Sequence, residues 1–183
     1  SISFPMMFGL MAISKQFAPW FLGNGFQMAG QIMFLESPVI VLIAWSNVTG
    51  TQYLMPVNRI KEYTTSVTIG AISNIAFNLV LIPFLGANGA TLATVGSELL
   101  VTASQLAMIR KTISRRKMFG EVWKYFASGL VMFIVVNRIT NTIQMTIANL
   151  ALEVAVGIVI YLSGLFILHA KILSQAKNFI GKN

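Results

Sequence analysis

The sequence predicts an all-α integral membrane protein of about six transmembrane helices, and two observations carry that prediction. Hydrophobic residues make up 56% of the chain, charged residues only 10%, and the mean hydropathy is +0.75. An ordinary soluble domain carries about a quarter charged residues. In addition, the apolar residues come in blocks close to the ~20 residues that a helix needs to cross a bilayer. The runs are too long and continuous for the short alternating strands of a barrel, and helices satisfy their own backbone in lipid.

Six apolar segments follow one another along the chain, and their approximate bounds are 2–22, 32–56, 64–85, 87–109, 122–139 and 147–170. The first segment is interrupted by Lys15 and contains Pro5 and Pro19. The fifth is the shortest, because Lys124 and Arg138 confine it. The whole chain, 1–183, is predicted to be one transmembrane region.

The basic residues alternate between connections in the way that a membrane topology requires. In a six-span arrangement, eleven of the thirteen Lys and Arg fall on one side, with six of them in 110–124. Cytoplasmic loops hold the excess of Lys and Arg, so both ends of the chain are predicted to be cytoplasmic. Topology thus accounts for the net charge of +8, and we expect no nucleic-acid partner. The basic loop could also attract anionic lipid headgroups.

Two charged residues are predicted to lie deep within spans. Lys15 falls near the middle of the first segment and Glu98 near the middle of the fourth. A charge at the bilayer centre costs about 2.5–3.5 kcal/mol on insertion scales, so each must face water, a partner charge or another helix. Their similar depth and opposite sign make them candidates for pairing. They either line a transport cavity, exchanging partners as it opens, or have a structural role, as a fixed ion pair or with Lys15 snorkelling.

Polar stripes run along the third and fourth segments at helical spacing. The third carries Ser66, Gly70, Asn74 and Asn78, and the fourth carries Asn88, Thr91, Val95, Glu98, Thr102 and Gln105. Asn47 and Gln52 stand near the end of the second segment. All of these side chains could line a water-filled cavity or hydrogen-bond between helices. Small residues between 86 and 97 would let helix backbones approach closely.

The remaining polar residues carry weaker predictions. Glu36, Glu153 and Arg138 are placed near the ends of their spans, where snorkelling explains them at little cost. His169 is the only histidine and cysteine is absent, so we expect no metal, no disulfide and no cofactor. No phosphate-binding glycine loop, nucleophile elbow or pair of carboxylates at helical spacing is present, and we expect no enzyme activity.

Three stretches in fixed order carry a resemblance to a known family. They are FPMMFGLMAISKQFAPWFLGNGF from Phe4, NVTGTQYLMPVNRIKEY from Asn47 and NIAFNLVLIPFLGANGATLATVGSELL from Asn74. Together they resemble the C-terminal part of a bacterial polysaccharide flippase of the Wzx type. That family belongs to the multidrug, oligosaccharidyl-lipid and polysaccharide exporter superfamily. The resemblance covers essentially the whole chain.

The resemblance implies two six-helix lobes around a central cavity, usually followed by two further helices. This chain would then correspond to the ninth to fourteenth helices, and the N-terminal lobe would be missing. The chain begins at Ser1 without an initiator Met or a signal peptide, which fits a segment of a longer transporter. The implied substrate is an undecaprenyl-pyrophosphate-linked oligosaccharide, moved across the bacterial cytoplasmic membrane for surface polysaccharide synthesis. The implied partners include the polysaccharide polymerase and chain-length machinery.

Lys15 and Glu98 match polar positions within the family-like stretches, so the resemblance makes them the first cavity candidates. Asn74, Asn78, Asn47 and Gln52 are the others. Within the same superfamily, a multidrug exporter or a peptidoglycan-precursor flippase is the alternative. From another class, the chain could be a membrane glycosyltransferase, a polymerase subunit or a non-catalytic scaffold.

Overall fold

The computed structural model describes residues 2–110, 112–113 and 119–171. Six of the basic residues that were predicted to orient the bundle lie outside these ranges, namely Lys111, Arg115, Arg116, Lys117, Lys177 and Lys182. Every regular element in the described ranges is helical, and five helices are long and apolar enough to cross a membrane. The prediction of an all-α integral membrane protein is therefore confirmed.

The described residues form seven α-helices and one π-helical segment. Their bounds are α1 Ser3–Leu22, α2 Gln27–Glu36, α3 Val39–Ser46, the π segment Asn47–Leu54, α4 Ile60–Leu85, α5 Ala87–Ile109, α6 Val122–Thr140 and α7 Ile147–Ile167. The five candidate spans are α4 to α7 and the continuous run Gln27–Leu54. The predicted first segment is helical as α1 but is not among them. Lys15, Gln16 and two prolines lower its mean hydropathy.

The second span is one helical run whose hydrogen bonding is irregular between α2 and α3 and whose last part is π-helical. Pro38 has no N–H, and the Ser37 hydroxyl turns back to donate to the Met33 carbonyl oxygen at 2.6 Å. Beyond α3 the chain continues without a break into the π segment, where a Cβ on Gly50 would lie 2.9 Å from the Tyr63 ring. The span begins at Gln27, five residues before its predicted start, since helical hydrogen bonding extends through polar residues that hydropathy does not mark.

The structure divides into two compact units, and each is described by itself. The first unit comprises residues 1–30 and 115–183, and the second comprises 31–114.

In the second unit, α4 and α5 form an antiparallel hairpin around a tight turn at Gly86, whose φ of 56° favours glycine. Their backbones approach closely at glycine. A Cβ on Gly89 would lie 2.3 Å from the Leu81 carbonyl oxygen, and one on Gly70 would lie 2.2 Å from a Val101 methyl group. Small residues at these positions thus allow the close packing that the sequence predicted.

In the first unit, α6 and α7 form a second antiparallel hairpin. Near its open end a Cβ on Gly164 would lie 2.8 Å from the Ser128 hydroxyl oxygen. Closer to the connection, a Cβ on Gly157 would contact Met132 and Val136 at 3.5 Å or more. The two helices are therefore close at both glycines, with a hydroxyl group at the open end and apolar side chains nearer the connection. The connection ends at Thr146, whose side chain caps α7.

Helix α1 packs against α6 in a parallel orientation. Phe4 and Phe8 meet Phe126, near the start of α6, with ring centroids 6.2 and 5.5 Å apart. Further along both helices, the Gln16 amide nitrogen lies 3.4 Å from the Asn141 amide oxygen. If both helices cross the membrane, an odd number of crossings must separate them. The three candidate spans between α1 and α6 meet that requirement.

Candidate functional site

The polar stripe of α4 lies against α5. Ser66 and Gly70 are buried, and the Asn74 amide nitrogen donates to the Ser97 hydroxyl on α5 at 3.1 Å. The Asn78 amide nitrogen in turn donates to the Asn74 side-chain oxygen at 2.9 Å. The sequence left two alternatives open for these side chains, cavity lining and hydrogen bonding between helices. The hydrogen bond of Asn74 to Ser97 is of the second kind. Both asparagines are half-buried, so cavity lining by their exposed parts stays a prediction.

The π segment is joined to the α4–α5 hairpin by a buried chain of hydrogen bonds. The Thr49 hydroxyl donates to the Gln105 side-chain oxygen at 2.6 Å, and the Gln105 amide nitrogen donates to the Ser66 hydroxyl at 3.1 Å. The Ser66 hydroxyl then donates to the Tyr63 carbonyl oxygen at 2.7 Å. All three polar side chains are 2% exposed or less. Sequence reasoning found Ser66 and Gln105 within stripes but missed Thr49, whose role depends on the π geometry.

Glu98 lies at the midpoint of α5 and is half-buried. Thr102, one turn further on the same face, donates to the Leu42 carbonyl oxygen of α3 at 3.1 Å. Within the described part of the chain, no hydrogen bond or ion pair to the Glu98 carboxylate is found. A carboxylate at that depth requires water or a partner outside these contacts.

Lys15 is exposed on α1 in the first unit, whereas Glu98 belongs to the second unit. The neighbouring Gln16 reaches Asn141, which directly follows α6. Lys15 therefore lies level with the end of α6, and its depth within the membrane stays a prediction. Its pairing with Glu98 stays a prediction.

Asn47 and Gln52 are both exposed on the π segment. The buried side of the same segment carries Thr49, Gly50 and Leu54. Because a π-helix places residues about four to five positions apart on one side, the two amides share the outward side. That leaves both groups accessible to a ligand on the surface of the second unit.

Three charged residues were predicted to snorkel near span ends, and their positions differ. Arg138 is exposed two residues before the end of α6, as snorkelling requires. Glu36 is exposed but lies nine residues into its span, because the helix begins at Gln27. Glu153 is 2% exposed, so the snorkelling prediction is wrong for it. Every side of α7 is rich in Leu, Val and Ile, and hydropathy therefore does not mark the face that packs.

Polar clusters that the sequence did not predict hold one end of each hairpin. In the second unit, Arg59 donates through Nε to Glu62 at 2.9 Å and through Nη2 to the Met108 carbonyl oxygen at 3.2 Å. This guanidinium therefore joins the start of α4 to the end of α5. The spacing of Arg59 and Glu62 was the available signal, but the carbonyl contact depends on the tertiary fold.

The corresponding cluster in the first unit is centred on Glu121. Its carboxylate accepts from the Lys171 backbone amide and from the Lys124 ammonium, each at 3.0 Å. Together these two hydrogen bonds hold the pKa of the Glu121 carboxyl below its usual value of 4.5. The hydrogen bond from the Lys171 amide has the larger effect on that pKa. Lys124 also donates to the His169 carbonyl oxygen at 3.1 Å. The cluster joins the start of α6 to the end of α7.

Metal ligands do not converge in the described ranges, where no three His, Cys, Asp or Glu form a group that could hold an ion. His169 is exposed, and its Nδ1 lies 3.0 Å from the Ile167 carbonyl oxygen. Its ring is thus satisfied locally.

Comparisons with known proteins add nothing to these observations, since no family model, no curated protein and no solved structure matches the chain.

Proposed function

We propose that this chain is part of a membrane transporter that moves lipid-linked oligosaccharides across the bacterial cytoplasmic membrane. The observation that carries the proposal is Glu98, a carboxylate at the midpoint of a candidate span with no partner among the described contacts. Ionisable groups inside spans usually mark a substrate or ion pathway. The substrate class rests on the resemblance in the three stretches beginning at Phe4, Asn47 and Asn74.

The chemistry of such a substrate agrees with the groups that remain accessible. Its pyrophosphate is anionic, and the exposed Lys15 ammonium supplies a favourable charge on the first unit. Its sugars need hydrogen-bonding groups, and Asn47 and Gln52 offer exposed amides. No bond is made or broken in this process, so the proposed protein is a transporter and not an enzyme.

The test measures surface polysaccharide in cells that carry variants of the full-length protein. We expect Lys15→Ala and Glu98→Gln each to reduce surface polysaccharide while the protein still inserts in the membrane. Lys61→Ala is the matched control, since Lys61 is equally exposed but lies at the start of α4. Unchanged polysaccharide in both variants would remove the two residues from the candidate site.

Charge reversal tests the predicted pairing separately. Lys15→Glu and Glu98→Lys should each impair transport, and the double variant should restore it if the two side chains meet. No recovery in the double variant would exclude the pair.

The substrate class is tested in proteoliposomes with defined substrates. We expect uptake of a pyrophosphate-linked oligosaccharide lipid. Exchange of a cationic drug without any sugar-lipid requirement would instead favour a multidrug exporter, and movement of peptidoglycan precursor alone would favour the corresponding flippase.

A further inference from the structure

Glu153 is the most completely buried acid among the described residues. It lies on α7, where only 2% of the residue is exposed, and it faces the α6 helix at Thr140. One turn further along α7, Gly157 lies against Met132 and Val136. The surroundings of the carboxyl group are therefore apolar apart from one hydroxyl. An ionised carboxylate is strongly disfavoured in such a place unless a cation neutralises it.

No cation does so within the described ranges. The ion pairs found there are Arg59 with Glu62 and Lys124 with Glu121, and neither involves Glu153. Among the charged groups on the helices that pack against α7, Lys124 is in the cluster at the opposite end of the hairpin, whereas Arg138 and Lys15 are exposed near the end of α6. Tyr125 is half-buried on α6, and Tyr161 is buried two turns further along α7.

One carboxyl oxygen indicates that the carboxyl group is neutral. Oε2 of Glu153 is buried and has no hydrogen-bond partner in the described structure. A neutral carboxyl oxygen tolerates this better than a charged one, because the cost of an unmade hydrogen bond is larger for charged groups. Ionisation would place a negative charge on an interface that holds neither a cation nor a second donor.

We propose that Glu153 is a proton-binding site, whose neutral carboxyl group lies buried within the closed α6–α7 hairpin. Release of the proton ionises the carboxyl, so the interface must admit water or separate. The site is distinct from the cavity candidates and does not depend on which substrate the protein moves.

Infrared spectroscopy of the full-length protein in lipid bilayers tests the site directly, because protonated carboxyl groups absorb apart from ionised carboxylates. We expect a protonated-carboxyl band at neutral pH that is lost in Glu153→Gln. Glu62→Gln is the matched control, since its carboxylate is paired with Arg59 and its removal should leave that band in place. Absence of the band from the unaltered protein, or its persistence in Glu153→Gln, would overturn the proposal.

The opening of the hairpin is tested by hydrogen exchange. After correction for the intrinsic pH dependence of exchange, protection of the last turn of α6 should fall as pH rises in the unaltered protein. It should stay constant in Glu153→Gln, whose amide cannot ionise. Equal pH dependence in the two proteins would exclude the proton as the group that holds the interface.

Discussion

A methyl group at Gly89 would lie 2.3 Å from the Leu81 carbonyl oxygen, which is backbone and cannot rotate away. The contact shows why small residues were recognisable in this part of the sequence: α4 and α5 approach too closely for a side chain. Glu153 shows the opposite case. Its burial depends on which face of an almost uniformly apolar helix packs against α6, and that choice is made by tertiary contacts.

We expect Gly89→Ala to lower the thermal stability of the protein in detergent. Overpacking costs about 1–3 kcal/mol, and the better helix propensity of alanine offsets up to about 1 kcal/mol of it. Gly25→Ala is the control, because a Cβ there has no neighbour within 4 Å. A Gly89→Ala protein as stable as the control would contradict the close approach of the two backbones.

At the scale of elements, the bounds of isolated apolar helices could be read from the sequence. The fourth segment was predicted at 87–109, and α5 spans Ala87–Ile109. The π segment could not be predicted, because its wide turn depends on the contacts of Gly50 with Tyr63 and of Thr49 with Gln105. The second of these contacts joins residues 56 positions apart, beyond the reach of periodicity.

Gln105→Leu should loosen the π segment. Leucine fills a similar volume but removes both the acceptor for Thr49 and the donor to Ser66, and each of these hydrogen bonds contributes about 0.5–1.5 kcal/mol. Hydrogen exchange of Asn47–Leu54 should therefore accelerate relative to the unaltered protein. Ser104→Ala is the control, since its hydroxyl bonds only to the Val101 carbonyl of its own helix.

The Glu121 cluster should respond to acid. The pKa of Glu121 is lowered in the folded protein, so its contribution is complete above pH 4.5 and is lost as pH falls through the folded pKa. We expect the start of α6 to loosen below pH 4.5, reported by the fluorescence of the adjacent Trp123 after the other two tryptophans are changed to phenylalanine. Glu121→Gln should show no such acid transition, and an identical transition there would assign it to another group.

At the scale of the whole molecule, the fold class followed from composition and from the length of the apolar blocks. The packing of α1 against α6 did not, since it depends on the contact of Phe4 and Phe8 with Phe126. The contact bears on topology, because two parallel helices that both cross the membrane must be separated by an odd number of membrane crossings. The site is predictable only in part: stripes locate polar faces, but they do not separate packing from cavity lining.

Cysteine labelling can test the six-span topology cleanly, because the chain contains no cysteine. A membrane-impermeant maleimide applied to intact cells should label Asn24→Cys and Thr142→Cys, which lie in connections predicted to be extracytoplasmic. Asn58→Cys should react only after the membrane is permeabilised. Labelling of Asn58→Cys in intact cells would reverse the predicted orientation, and a mixed result for the other two would reject the six-span count.

The contact of α1 with α6 also has a consequence for synthesis. Phe8 meets Phe126, a residue that the ribosome adds more than a hundred positions later. At about 5–20 residues per second, the aromatic face of α1 waits on the order of 10 s for its partner. The α4–α5 hairpin, by contrast, can close as soon as its own residues leave the ribosome. Assembly of the first unit is therefore a late event during translation, and α1 is the helix that an insertase or membrane chaperone would have to shield in the meantime.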